Sequence, residues 1–457
     1  MTQFDLKRRQ TLGTLGALAA FPLIGCGSGS SSPASNNAVN YVYTMTNAQQ
    51  NAVARFRLEA DGNLTYLDQT LTGGEGSLGR SPEDTSPSFD INNPNGTYSP
   101  EPDSLVCQSS LFVSQAEGLL FCVNAGNPYA SSAGNTSSIS VFSIGANGSL
   151  KLRSNTKVDG IYPTSLTYDD GYLYASYYGW HTDRTIESFQ VQSDGNLISK
   201  STYKAAQQPT PDSSPIYKIN PYCVSPNNIL INPSKTHLLL NSCNSNQIFK
   251  FALNKDGTFN QNPDITHFER PPVEASTNPD DPTPVDSAIY YEVQPFAGAF
   301  ATVGGSEIYL TSSINHNALD YTYFSQLNGS TISPNEIYPG FGMGDACWLT
   351  VHPTQTLAFM GYGIPDAGVI TSFIINKEGT IQQSPQGRPA SQINGAAGDM
   401  WIDPTGAYLM QIDLQHAQVY AFRVSMTGAL TQTGRAVIPN SGNLLIQGMA
   451  GYVGTLT

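Results

Sequence analysis

Apolar residues recur with a period of two through one short stretch: after Ile248 and Phe249 they return at Phe251 and Leu253. That period predicts a β-strand, because successive side chains on a strand point to opposite faces. Asp256-Gly257 follows, and glycine accepts the positive φ that a tight hairpin turn demands. Phe259 opens the returning strand. The same unit recurs at 53–58 before Asp61-Gly62, at 139–144 before Asn147-Gly148 and at 186–191 before Asp194-Gly195. Further copies are 321–326 before Asn328-Gly329, 369–375 before Glu378-Gly379 and 419–424 before Thr427-Gly428. Seven copies of one unit mark a repeat architecture.

A second hairpin lies between copies. Residues 111–115 turn at Glu117-Gly118, 165–168 at Asp169 to Gly171, and 228–231 at Asn232-Pro233. The series continues with 299–302 at Gly304-Gly305, 348–351 at His352-Pro353 and 400–402 at Asp403 to Gly406. Four antiparallel strands per unit, repeated radially, predict an all-β chain folded as a seven-bladed β-propeller. The first unit has no innermost strand near the N-terminus, while 444–449 is an apolar run with no unit of its own. The C-terminal strand is therefore expected to pair into the first blade, which removes an open sheet edge.

The N-terminal 37 residues read differently. Lys7-Arg8-Arg9 is basic, and the apolar run 12–24 is too short to span a bilayer as a mature helix. Residues 1–25 are expected to be a signal peptide. Leu23-Ile24-Gly25-Cys26 resembles the lipobox of bacterial lipoproteins, which implies lipidation of Cys26; an ordinary cleaved signal with a chance cysteine is the alternative. Arg8-Arg9 followed by Gln10, Thr11 and Leu12 resembles a twin-arginine export signal, the other reading being a plain basic region. Residues 26–37 are rich in glycine and serine, as in a flexible tether. Residues 38–457 are read as one propeller domain, lipid-anchored in the cell envelope, facing the periplasm or on the outer membrane, and monomeric.

Composition narrows the partners. Charged residues make up 12% of the chain, about half the usual share, so the surface must be largely uncharged polar. The net charge of −14, with no basic cluster after the first residues, argues against nucleic acid, whose binding rests on neutralising phosphates. Cys223 and Cys243 fall at the same end of one hairpin, where either a disulfide or two buried thiols fits. No cysteine or histidine spacing suggests a metal site, and no cofactor is expected.

The spacing between units is uneven. The excess lies at 71–108, 203–227, 262–296, 333–346 and 384–397, each joining an outermost strand to the next innermost one. In a propeller all these connections emerge on one face, and binding sites tend to ride on loops held by a rigid scaffold. Loops between second and third strands reach the same face. They carry Asn124, the run Trp180-His181-Thr182-Asp183-Arg184, His316, and Asp413 with His416. His237 and His352 fall in turns on the opposite face and read as structural, and His267 lies within an insertion. Trp180 to Arg184 brings an aromatic platform, a proton-transfer group and two opposite charges together, a composition suited to a polar, sugar-like ligand. The ligand-binding candidates are Trp180, Asp183, His316, His416, Asn124 and Asp345.

The repeated pattern of an apolar strand, Phe and turn glycine, alternating with turns such as His352-Pro353 and Asp403-Pro404, resembles the seven-bladed propeller lactonase family of 6-phosphogluconolactonase-like and carboxymuconate-lactonising proteins. The resemblance implies chemistry on a lactone or sugar-acid derivative at the channel mouth, using a His with Arg and Glu partners and no metal. The family's Pro-Arg-His at the start of an innermost strand is not kept: Pro163 remains, but Thr164 and Ser165 stand in the other two places. The catalytic set implied instead is His181 as general base, with Arg184 or Arg388 stabilising the oxyanion. The alternative is a non-catalytic propeller that binds a glycan, a peptide or an envelope partner.

Overall fold

The computed structural model describes residues 38–80, 104–179, 182–206, 224–243, 245, 247–267, 294–314, 321–328, 331–339, 346–363, 366, 368–386, 390–439 and 445–455. Among them are seven antiparallel sheets and no α-helix; one 3-10 turn spans Ser132–Gly134. Each sheet is a blade whose strands are numbered outward from the axis, and in every blade but the first the four strands are successive in the chain. Blade two, for example, runs Leu111–Ser114, Leu119–Asn124, Ser138–Ile144 and Leu150–Lys157. Blade six carries an extra piece, Ser391–Gln392, against Val369–Ile375. No helix among the described residues is long and apolar enough to cross a membrane.

Blade one closes the ring as expected. Its innermost strand is the C-terminal Gln447–Thr455, antiparallel to Ala38–Met45 with Ala38 opposite Thr455 and Met45 opposite Gln447. The strand starts later than 444–449 and runs further, through Gly448, Gly451 and Gly454. These glycines interrupt the apolar pattern for a packing reason. A Cβ on Gly451 would meet the Trp401 indole at 2.3 Å, and one on Gly454 would meet Ala146 O at 2.2 Å. A second boundary differs in blade four, whose outermost strand is Asp264–His267 rather than a strand from Phe259, which makes only a single bridge to Leu253. His267 thus belongs to a strand and not to an insertion.

Middle strands such as Leu119–Asn124 and Leu357–Tyr362 are buried along their whole length, whereas the outermost Leu150–Lys157 is mostly exposed. A strand with a blade on each side has no solvent face, so its sequence need not alternate. Phe251, wholly buried, packs edge-on against Tyr203 and Phe259. A ring of that size contributes about 1.5–3 kcal/mol by burial. Neighbouring blades also interlock at their turns. Gly257 has φ +79, and a Cβ there would sit 2.0 Å from the Tyr172 ring of blade three; Gly148 stands in the same relation to Tyr41 of blade one. The turn glycine therefore serves both the hairpin and the seat of the adjacent aromatic ring.

Candidate active site

The innermost strands begin on the face where the long connections emerge, and there the chain fills its own channel. Residues 104–110, the end of the first long connection, reach blades three to seven. The Gln108 side chain donates to Gly298 O (3.3 Å, blade five) and accepts from Leu349 N (2.9 Å, blade six). Its backbone N–H donates to Asn227 O (2.9 Å, blade four), and its carbonyl accepts from Ser165 Oγ (2.6 Å, blade three). Trp348 Nε1 donates to Cys107 O (3.3 Å), and Asn227 Nδ2 to Val106 O (2.7 Å). Val106 and Ser109 take positive φ, 48° and 66°, which bends the segment enough to face several blades. Thr164 and Ser165 are fully buried in this seat; Ser165 Oγ also accepts from Ile229 N (3.1 Å), and Thr164 Oγ1 donates to Pro226 O (3.1 Å). The positions where the lactonase-like signature carries Arg and His thus hold the plug.

Asp399 closes the arrangement from blade seven. Its carboxylate accepts from the backbone N–H groups of Ser109 (3.0 Å), Met400 (3.0 Å) and Met449 (3.3 Å). Burial pushes this carboxyl up to about 6, against the opposing pull of the three N–H groups.

The rim carries two polar clusters. In blade three, Arg184 meets three carboxylates: Glu187 at 2.5 Å, Asp159 at 2.7 Å and Asp183 at 3.7 Å. Glu187 is buried and also accepts from Ser199 Oγ (2.5 Å) and Tyr177 OH (3.2 Å). Burial, then the Glu187 charge beside it, pushes the Tyr177 phenol well above its usual range. In blade seven, the buried Asp413 accepts from His416 Nδ1 (2.9 Å), Gln418 Nε2 (2.7 Å) and the backbone N–H groups of Gln415 (2.9 Å) and His416 (3.3 Å). The His416 side chain is 46% exposed, and its Nε2 makes no hydrogen bond among the described residues. Asp413 thereby fixes the tautomer with the proton on Nδ1 and leaves Nε2 as a base open to solvent.

The residues singled out from the sequence fall in different places. Cys26, Trp180, His181, Cys223, His316, Asp345 and Arg388 lie outside the described residues. Asp183 is exposed and joins the Arg184 cluster. Asn124 is fully buried: Oδ1 accepts from Asn51 Nδ2 (3.0 Å) and Thr72 Oγ1 (2.6 Å), while Nδ2 donates to Ser138 and Ser140. Cys243 is buried in the turn just after the strand His237–Ser242. His352 is buried between Thr354 and Gly406 O in a turn, a structural role as expected. The plug and Asp399 were not foreseen, although the apolar triplet Leu105-Val106-Cys107 inside a polar connection was a signal that the segment is buried.

No family model matches the chain, and no curated protein does. Among solved structures, the chain is similar to a candidate 6-phosphogluconolactonase from Bacteroides fragilis, with TM-score 0.64 and 14% identity over 92% of this chain and 99% of that one. A candidate 6-phosphogluconolactonase from Bacteroides uniformis gives TM-score 0.63 and 14% identity over 91% and 99%. The periplasmic gluconolactonase of Pseudomonas aeruginosa gives 0.57 and 13% over 91% and 99%. At such identity the likeness is one of fold: the chain has the β-propeller architecture of these lactonase-like proteins.

Proposed function

We propose that the chain hydrolyses a lactone on its loop-bearing rim, with His416 as general base and Asp413 as the residue that positions it. The observation that carries this reading is the 2.9 Å contact between a buried Asp413 and the Nδ1 of a half-exposed His416 whose Nε2 is free. Nε2 takes a proton from water as the oxygen attacks the lactone carbonyl. The ring C–O bond then breaks, and the imidazolium returns the proton to the departing alkoxide, giving a hydroxy acid. Asp413 stabilises the transient cation. The fold shared with candidate 6-phosphogluconolactonases and a periplasmic gluconolactonase supports the choice of substrate class. Arg184 is assigned a structural part, because its charge is already met by three carboxylates; the oxyanion role falls to Arg388. Purified protein assayed against aldonolactones and acyl-lactones tests the reading. Turnover that disappears in His416→Ala is expected; turnover retained in that variant and lost in His181→Ala moves the base to blade three, and no turnover on any lactone overturns the assignment.

A binding module is the second reading, favoured by the plug, which occupies the channel mouth where the lactonase-like signature would act. For location, the proposal is export followed by lipidation at Cys26, so that the propeller works as a monomer in the cell envelope. Fatty-acid labelling that is lost in Cys26→Ala is the expected result.

A further inference from the structure

Between blades one and two the loop-bearing rim opens into a cleft of about 530 Å³, within the range of small-ligand sites. It lies on blades other than that of the Asp413–His416 pair and does not depend on the hydrolase reading. Its lining includes the carboxamides of Gln49, Gln50 and Asn155, the hydroxyl of Thr136, and one charge of each sign, Glu75 and Lys157. Carboxamides and hydroxyls both donate and accept, as each hydroxyl of a sugar does, so such walls match vicinal hydroxyls pair by pair. Leu71, 58% exposed, adds an apolar surface for the C–H face of a pyranose ring.

The cleft is built in advance. Asn51 N donates to Gly74 O (3.0 Å) and Gly76 N to Ala48 O (2.8 Å), which ties the two blade-one wall segments together, and Gly126 N donates to Glu75 O (3.1 Å), which joins them to blade two. Asn124 sits behind them, its four hydrogen bonds joining Asn51, Thr72, Ser138 and Ser140. A Cβ on Gly74 would lie 2.4 Å from Asn124, so glycine is required there and the main chain of the wall stays bare. A preformed polar wall lowers the ordering cost of binding a flexible, hydrated ligand. We infer that this cleft is a binding site for a neutral saccharide.

Titration calorimetry of the purified full chain with maltose, cellobiose and diacetylchitobiose tests this. At least one disaccharide is expected to bind with a Kd on the order of millimolar or tighter. Asn155→Ala should weaken it at least about tenfold by removing one bidentate amide, equivalent to about 1.4 kcal/mol. Thr136→Trp, which fills the cleft from an exposed position, should abolish it. Absence of binding at about 10 mM of every disaccharide, or wild-type affinity in both variants, overturns the inference. Preferential binding of gluconate that is lost in Lys157→Ala also overturns it, in favour of a sugar acid.

Discussion

Two of the buried aspartates of blade seven, Asp399 and Asp413, lie on adjacent strands and do opposite things. Asp399, at the axis, takes all its hydrogen bonds from main-chain N–H groups, and those belong to three separate stretches of the chain. Asp413, at the rim, takes two main-chain bonds as well, but spends its other oxygen on Gln418 and on a histidine that reaches solvent. Burial is common to both, so burial of a carboxylate does not by itself mark a site. What separates them is whether a titratable donor leads outward. Asp399 ends in a knot of peptide groups and acts as a clamp on the plug, whereas Asp413 ends in a base that can meet a substrate.

The contrast breaks most sharply at His416. His416→Ala should cut kcat by about a hundredfold to ten-thousandfold, the usual worth of a positioned base, or about 3–5 kcal/mol of barrier. Asp413→Asn should cause a smaller fall, because the amide presents N–H to Nδ1 and disfavours the productive tautomer. Circular dichroism and melting should be nearly unchanged in His416→Ala; a collapse of both would make His416 structural instead.

Asp399 gives the next largest effect, on stability. Its folded carboxyl, at about 6, lies above the unfolded value of 3.8. Below about pH 4 both states hold the proton and burial carries no charge penalty. Between about pH 4 and pH 6 only the folded state holds it, so this contribution to stability falls as pH rises, and it levels off above about pH 6. The whole change is about 3 kcal/mol. It should appear as a pH-dependent difference between urea unfolding of the wild type and of Asp399→Asn; parallel profiles would remove Asp399 from the titrating groups.

The smallest change is at Ser165. Ser165→Ala leaves Gln108 O and Ile229 N without their hydroxyl partner inside the ring, a loss of about 1–3 kcal/mol. If the plug is a structural clamp like Asp399, this variant should be less stable yet keep its turnover per folded molecule. Lost turnover with unchanged stability would move the catalytic centre from the rim to the axis.

The blades were legible because each repeats a local rule, an apolar strand and then a turn glycine, and at Gly62, Gly148 and Gly257 that glycine is pressed against an aromatic ring of the neighbouring blade. The closing strand was legible in kind but misplaced, since Gly448, Gly451 and Gly454 erase the apolar pattern in order to admit Trp401 and the chain of blade two. The plug was not legible. Its hydrogen bonds join 106–109 to residues up to 290 positions away, as between Ser109 and Asp399, and no local period encodes such partners. At the rim, the spacing of Asp413 and His416 within one turn placed both on the loop-bearing face, but that Asp413 is the buried member needed the structure. The cleft of blades one and two was hidden for a further reason: part of its wall is the bare main chain of Gly73 and Gly74, which presents no side chain to read.

The pairing of Ala38 with Thr455 has a practical consequence. Ala38 begins a second strand and Thr455 ends an innermost one, so both lie at the end of blade one remote from the loop-bearing rim. A tag, spacer or solid support joined at either end of the propeller is attached on the side away from His416 and from the cleft of blades one and two. Capture through the ends therefore leaves the loop-bearing rim on the side away from the support.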